Sequence, residues 1–165
     1  MDSQLGEGTE FTVYLPAVEG PTAAAERTPE TRTGAGETIL VVEDEAGVRR
    51  VVRAILRHGY DVVEASDGEQ ALRHVREQGA TFALVLLDLS MPTMSGGEVL
   101  QRLRSLTPDL PVIIFAGQGV RLDQFPGATA VLSKPVKQHE LLSAVAQGLN
   151  PPYSIQNEYS RAWCR

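Results

Sequence analysis

Almost all of the periodic hydrophobicity in this chain lies in residues 38–149. Continuous apolar runs there predict five strands, and apolar residues spaced three or four positions apart predict helices between them. The predicted strands are 38–42, 60–65, 82–87, 111–115 and 129–132, and the predicted helices lie around 48–56, 66–78, 98–105 and 137–149. The run 82–87 has no polar residue, which is typical of a central strand that is buried on both faces. The alternation predicts an α/β domain with a doubly wound parallel sheet.

The rest of the chain differs in composition from this segment. Residues 1–16 predict a short alternating strand, with Phe11, Val13 and Leu15 on one side and Thr12 and Tyr14 on the other. Residues 17–37 are mostly small residues, Pro, Thr and Glu, which cannot bury enough surface to offset chain entropy, so we interpret them as a flexible linker. Residues 150–165 begin with Asn-Pro-Pro and show no helical or strand period, so we interpret them as a tail.

The charge distribution disfavours a nucleic-acid partner. The net charge is −6, and no basic patch is clustered enough to release counterions from phosphates. Arg49, Arg50, Arg53 and Arg57 share the first predicted helix with apolar residues, and we interpret them as its solvated side.

Composition also indicates the compartment. The single cysteine, Cys164, excludes an internal disulfide framework and a cysteine-based zinc site, which fits a reducing environment. No run approaches the roughly 18 apolar residues of a membrane span. The N-terminus has neither the basic start nor the apolar core of a secretion signal. We therefore expect a soluble, cytoplasmic protein that does not insert into a membrane.

Three of the predicted strands end in charged residues. Glu43, Asp44 and Glu45 follow the first strand, Asp88 follows the third, and Lys134 follows the fifth. The carboxyl ends of parallel strands meet at one edge, where doubly wound sheets place their chemistry. Carboxylates brought together there would raise one another's pKa unless a cation neutralised them, and hard oxygen ligands suit Mg²⁺. A carboxylate can also attack phosphorus, while a lysine pairs with the phosphoryl oxygens.

Each of these strand ends taken alone is also typical of a solvated turn or loop. Their order and surrounding residues, however, resemble the receiver domains of two-component response regulators over residues 38–149. Asp88-Leu-Ser-Met-Pro-Thr-Met-Ser-Gly96 is similar to that family's D-x-x-M-P-x-M-x-G signature. Leu40-Val-Val-Glu-Asp-Glu45 resembles its acidic first strand end, and Leu132-Ser-Lys-Pro135 resembles its lysine followed by a cis proline. The resemblance implies a flavodoxin-like sheet with strand order 2-1-3-4-5.

The same resemblance implies the role of each residue. Asp88 would accept a phosphoryl group from the phosphohistidine of a histidine kinase or a histidine phosphotransfer protein. Asp44 and Asp88 would bind Mg²⁺ through their side chains, Ser90 through its backbone carbonyl, and Glu43 through a water. Lys134 would contact the phosphoryl group. The chain would then be a phosphoacceptor domain rather than an enzyme that turns over a substrate.

Two positions depart from the family pattern. Ala116 stands where members usually carry a Thr or Ser hydroxyl, and Val131 stands where they often carry an aromatic switch residue. The segment 117–128 is short and contains Pro126-Gly127, so we expect the fourth helix to be shortened to a turn or lost. We therefore expect a weak or different conformational response to phosphorylation. The alternative is a degenerate receiver that binds a partner without being phosphorylated.

Residues 3–16 resemble the closing segment of a histidine-kinase ATP-binding domain, which often ends in G-x-G-T-x-F-x-V-x-L-P. The resemblance suggests the C-terminal part of a hybrid sensor kinase, although an unrelated edge strand would look similar. The remaining ATP-site motifs are absent from the sequence, so we do not expect this chain to bind ATP. A Mg²⁺-dependent phosphatase of the haloacid-dehalogenase kind is also disfavoured, because those enzymes need an acid where this chain has Ser90.

Overall fold

The computed structural model describes residues 2–4, 8–10, 36–78 and 81–150, which belong to two separate units. In the first unit, β1 (Asp2–Gln4) pairs antiparallel with β2 (Gly8–Glu10). The prediction of a single strand over residues 1–16 is therefore wrong, because the chain reverses direction between Gln4 and Gly8. The apolar alternation of residues 11–16 lies outside the described residues.

The second unit contains a five-stranded parallel sheet. Its elements are β3 (Thr38–Val42), α1 (Ala46–Leu56), β4 (Asp61–Ala65), α2 (Gly68–Gln78), β5 (Phe82–Asp88), α3 (Gly96–Leu106), β6 (Val112–Ala116), β7 (Ala130–Ser133) and α4 (Gln138–Leu149). The strands lie in the order β4-β3-β5-β6-β7, which is 2-1-3-4-5 when the strands of this sheet are numbered along the chain. The flavodoxin-like fold is thereby confirmed. Each strand begins and ends within one residue of its predicted bounds.

Each face of the sheet is covered by two helices. Leu40, Val42, Val85 and Leu87 pack with the apolar residues of α2 and α3. The alternate residues Ile39, Val41, Leu84 and Leu86 pack with those of α1 and α4 on the opposite face. Strand β5 is buried on both faces, as its uniformly apolar sequence predicts. No helix of the described residues is long and apolar enough to cross a bilayer.

The connection between β6 and β7 holds only one turn of 3-10 helix, Leu122–Gln124, so the prediction of a shortened fourth helix is confirmed. Val120, Phe125 and Ala128 pack from this connection onto the core beneath it. Arg104 in α3 fixes its far end: Nε donates to the Gly127 carbonyl at 2.7 Å, and Nη1 donates to the Leu110 carbonyl at 2.6 Å. The connection is therefore tied to α3 by both apolar and polar contacts.

Candidate functional site

The carboxyl ends of three strands bring the predicted site residues together. In the register of the sheet, Val42 of β3 lies beside Leu87 of β5, so the next residues, Glu43 and Asp88, are neighbours. One carboxylate oxygen from each of Glu43, Asp44 and Asp88 lies within 4.8 Å of the others. The convergence expected from the strand ends is present in the structure.

Lys134 bridges two of these carboxylates. Its Nζ lies 2.9 Å from Glu43 Oε2 and 2.9 Å from Asp88 Oδ1. The two acidic side chains are only 2 % exposed, whereas that of Lys134 is 34 % exposed. The Lys134 backbone N–H donates to the Ala116 carbonyl at 2.7 Å, and the Lys134–Pro135 peptide is cis, as the resemblance implies. The ammonium therefore reaches the buried acids from the solvent side.

Burial and neighbouring charges shift the pKa values of Glu43 and Lys134. Burial raises the pKa of Glu43 and the charge of Asp88 adds to the rise, against the opposing hydrogen bond from Lys134. Burial alone would lower the pKa of Lys134, but its hydrogen bonds to Asp88 and Glu43 outweigh that effect and raise it. Lys134 is consequently a fixed positive charge at neutral pH.

The acidic cluster suits a hard divalent cation. Asp88 Oδ1 is buried, and the only partner that the described residues offer it is the Lys134 ammonium 2.9 Å away. When all are ionised, three carboxylates face one ammonium, which leaves two negative charges uncompensated within this cluster. Mg²⁺ prefers oxygen ligands and takes few of them from protein, keeping several waters. The residues present fit Mg²⁺, and exposed Asp44 leaves the site open to solvent.

The loop after β5 has a fixed backbone around the acidic cluster. The Leu89 N–H donates to the Phe115 carbonyl at 3.1 Å, and the Gly96 N–H donates to the Leu89 carbonyl at 3.2 Å. Met91 and Met94 are buried in the core on either side of Pro92. Ser90 is exposed in this loop, and its role as a carbonyl ligand stays a prediction.

The two departures from the family pattern lie near the same edge. Ala116 ends β6, is 1 % exposed and pairs with Ser133, the residue before Lys134. Its methyl side chain cannot donate a hydrogen bond. Val131 is partly buried and packs against the core on the α2 and α3 face. The positions of the missing hydroxyl and the missing aromatic ring thus lie on adjacent strands, two register positions apart.

Arg49 is a contact of the site that the sequence pattern did not reveal. The prediction of a solvated side holds for Arg50, Arg53 and Arg57, which are exposed, but it is wrong for Arg49. Its Nη1 donates to the Glu43 carbonyl at 2.6 Å and to the Asp44 carbonyl at 3.3 Å. Periodicity could not show this, because an arginine at the edge of an apolar stripe can extend toward water or fold back over the helix N-terminus.

A family model for the response regulator receiver domain matches residues 39–146. Among curated proteins, the sensor kinase CckA of Brucella abortus is 39% identical over 126 residues, which cover 70% of this chain but only 13% of CckA. The two-component response regulator ORR41 of Oryza sativa is 39% identical over 110 residues, covering 62% of this chain and 87% of ORR41. The matched segment is therefore a small part of one relative and most of the other.

Solved structures show the same fold. A receiver domain protein from Clostridium thermocellum superposes with a TM-score of 0.65 at 31% identity, covering 68% of this chain and 94% of that one. The chemotaxis protein CheY4 of Vibrio cholerae superposes with a TM-score of 0.62 at 28% identity, covering 70% of this chain and all of CheY4. The family match of the sequence, the strand order of the sheet and the acidic residues at its edge all indicate the same family. This chain belongs to the response regulator receiver domain family of two-component signalling.

Proposed function

We propose that this chain accepts a phosphoryl group from a phosphohistidine onto Asp88, in the presence of Mg²⁺. One observation carries the proposal: the buried Asp88 carboxylate lies 2.9 Å from the Lys134 ammonium and within 4.8 Å of two further carboxylates. A nucleophile, a cationic group for the phosphoryl oxygens and a set of hard oxygen ligands thus stand at one sheet edge.

The transfer uses groups that the fold holds in place. An Asp88 carboxylate oxygen attacks the phosphorus, the phosphorus–nitrogen bond to the donor imidazole breaks, and its electron pair leaves with the imidazole. The product is an aspartyl phosphate and a free histidine. Lys134, already 2.9 Å from Asp88 Oδ1, pairs with the charge of the phosphoryl oxygens without needing to be brought in from solvent.

Glu43, Asp44 and Asp88 would hold the Mg²⁺, with the Ser90 carbonyl as a further ligand. The ion supplies positive charge that offsets the repulsion between the carboxylates and an incoming phosphoryl group. The chain's own contribution is the placement of Glu43 and Asp88 at the ends of adjacent strands, so that the two carboxylates need not be brought together when the site is loaded.

The partner would be a histidine kinase or a histidine phosphotransfer protein, and the context would be a hybrid sensor kinase. The match to part of the sensor kinase CckA supports this context. So does the resemblance of residues 3–16 to the end of a kinase ATP-binding domain. A free-standing receiver is the competing arrangement, and the likeness to ORR41 over most of its length supports it.

Intact-mass spectrometry after incubation with acetyl phosphate and MgCl₂ tests the proposal. We expect the chain to gain one acid-labile phosphoryl group, and Asp88→Asn to gain none. Asp61→Asn serves as the matched control, because Asp61 is exposed at the start of β4, at the other end of the sheet. Equal labelling of the wild type and Asp88→Asn would contradict the proposal.

Ala116 supports a second candidate, a receiver that binds its partner without phosphorylation. The buried methyl group at the end of β6 cannot hydrogen-bond a phosphoryl oxygen. NMR chemical shifts with beryllofluoride and Mg²⁺ discriminate between the two. Under the first proposal the shifts change around Asp88 and little over residues 117–131. No change anywhere, together with no labelling by acetyl phosphate, would favour the second candidate.

A further inference from the structure

The loop between β3 and α1 carries two of the three carboxylates proposed to hold Mg²⁺, and its backbone is fixed at several points. The Glu43 N–H donates to the Ala65 carbonyl of β4 at 3.1 Å. The Glu45 N–H lies 3.3 Å from Glu43 Oε1. The carbonyl groups of Glu43 and Asp44 are both bonded by Arg49, which lies one turn into α1. Arg49 is therefore the group that fixes the carbonyl side of this loop.

Arg49 is itself held in position. Its side chain is only 19 % exposed, and its Nε lies 3.6 Å from Glu64 Oε1 of β4. Arg53, one turn further along the same helix, also contacts Glu64, with 3.0 Å between Nη1 and Oε2, but it is 58 % exposed. The structure gives Arg53 no hydrogen bond to the loop carbonyls. The two arginines thus share one carboxylate partner and differ in their contact with the loop.

We infer that Arg49 is a positioning residue for the divalent cation: by bonding the carbonyls of Glu43 and Asp44, it sets the direction in which these two residues present their carboxylates. The inference rests on the proposed function, since it takes the acidic cluster to be the Mg²⁺ site. Nη1 carries two hydrogens in the fixed plane of the guanidinium, so it can serve both carbonyls at once, whereas the freely rotating ammonium of a lysine is less well pre-organised to do so.

Electrostatics alone predicts the opposite effect of Arg49. A guanidinium close to a cation site repels the cation, so removing its charge should tighten Mg²⁺ binding. Loss of positioning should weaken it, because groups that orient metal ligands contribute about tenfold or more to metal affinity. The sign of the change in Mg²⁺ affinity therefore separates a positioning role from a simple charge effect.

The test is calorimetric titration of MgCl₂ into the full chain, comparing the wild type with Arg49→Gln, Arg49→Lys and Arg53→Gln. We expect Arg49→Gln to weaken Mg²⁺ binding about tenfold, in line with the effect of other orienting groups. Arg49→Lys keeps the charge, so any loss of affinity in it comes from geometry, and we expect an intermediate loss. Arg53→Gln removes a neighbouring charge that contacts the same Glu64 carboxylate, and we expect wild-type affinity.

Circular dichroism melts without Mg²⁺ verify that each variant is folded. If Arg49→Gln is not folded, the comparison of Arg49→Lys with the wild type tests the inference.

Three results would overturn the inference. Arg49→Gln could bind Mg²⁺ as tightly as the wild type or more tightly, or Arg49→Lys could retain full affinity. Arg53→Gln could also lose as much as Arg49→Gln, which would indicate a general effect of charge on α1. In each case the wild type still binds Mg²⁺ and the proposed function stands. A wild-type chain that takes up no Mg²⁺ overturns the metal site itself, and the inference with it.

Discussion

Gly96 lies against the main chain of Asp88, so closely that a Cβ at position 96 would overlap the Asp88 carbonyl oxygen. The same Cβ would come within 2.8 Å of the Leu89 Cα. Both contacts are with backbone, which cannot move aside as the end of a flexible side chain can. The glycine of the signature motif therefore lets α3 begin directly beside the proposed phosphoacceptor.

Gly96→Ala should destabilise the domain and disturb the site together. Forcing a methyl group into this contact costs about 1–3 kcal/mol of unfolding free energy and shifts the backbone of Asp88. We expect lower phosphoryl uptake from acetyl phosphate in the same variant. Gly97→Ala is the matched control, because its Cβ would lie 3.7 Å from the Phe125 ring, an ordinary contact. Urea unfolding that gave the same stability for both variants would contradict this account.

Lys134→Gln should make the stability of the domain depend on Mg²⁺. Without the ammonium, two almost fully buried carboxylates lose their partner. We expect a loss of about 3 kcal/mol, the lower end for breaking a buried ion pair, because Lys134 is one-third exposed. Mg²⁺ should then raise the Tm of the variant more than that of the wild type, since it competes with no ammonium for the same oxygens.

Lys137→Gln is the control for that comparison, because Lys137 is 72 % exposed and its Nζ lies 3.9 Å from Glu140 Oε1. It should melt like the wild type with and without Mg²⁺. If Mg²⁺ raised the Tm of all three proteins equally, Lys134 and the cation would not share their carboxylate partners.

Arg104→Gln should release the β6–β7 connection from α3. The guanidinium bonds the carbonyls of Gly127 and Leu110, and its Nη1 also lies 3.3 Å from the Thr107 carbonyl. Hydrogen bonds from a charged donor contribute about 2 kcal/mol, so we expect a loss of that order in urea unfolding. Arg102→Gln removes a charge from the exposed side of the same helix and should cost little. Equal losses would mean that helix charge, not the contacts to the connection, determines stability.

The contribution of Glu98 to the stability of the domain should depend on pH. Hydrogen bonds from the backbone N–H and the hydroxyl of Ser95, at 3.0 Å and 2.9 Å, hold the pKa of Glu98 below its usual range. A carboxyl group whose pKa is lowered by folding stabilises the protein above its unfolded pKa, and the effect disappears as the pH falls through the folded pKa. The Tm difference between the wild type and Glu98→Gln should therefore be positive near pH 7 and vanish in acid. A difference that did not change with pH would rule out this contribution.

The sequence predicted the sheet and the charged residues at its edge because both follow from simple periodicities. Apolar runs fixed the strands, and the parallel order brought Glu43, Asp88 and Lys134 to one edge. Side-chain contacts that depend on local geometry were missed. At the start of α2, Ser66 and Glu69 have the spacing of a capping box, but in the structure Asp67 Oδ1 accepts the Gln70 N–H and Gln70 Oε1 accepts the Ser66 N–H. A cap one residue along the chain satisfies the same pattern, so the pattern cannot choose between them.

Arg49 was missed for a related reason. Three arginines lie on the amphipathic helix α1 and Arg57 follows it directly, and only the path of the preceding loop decides which of the four turns inward. The exposed Val51, at 59 %, shows the same limit at the edge of the apolar stripe of α1. Neither side chain could be assigned before the position of α1 on the sheet was known.

The central claim is that Asp88, among three adjacent carboxylates, takes the phosphoryl group. Reduction of the acetyl-phosphate-treated chain with borohydride converts an aspartyl phosphate to homoserine, which peptide mass spectrometry can locate. We predict homoserine at position 88, dependent on Mg²⁺ and absent when EDTA is added. Homoserine at position 44, or modification of Glu43, would contradict the account, as would no modification of a folded chain supplied with Mg²⁺.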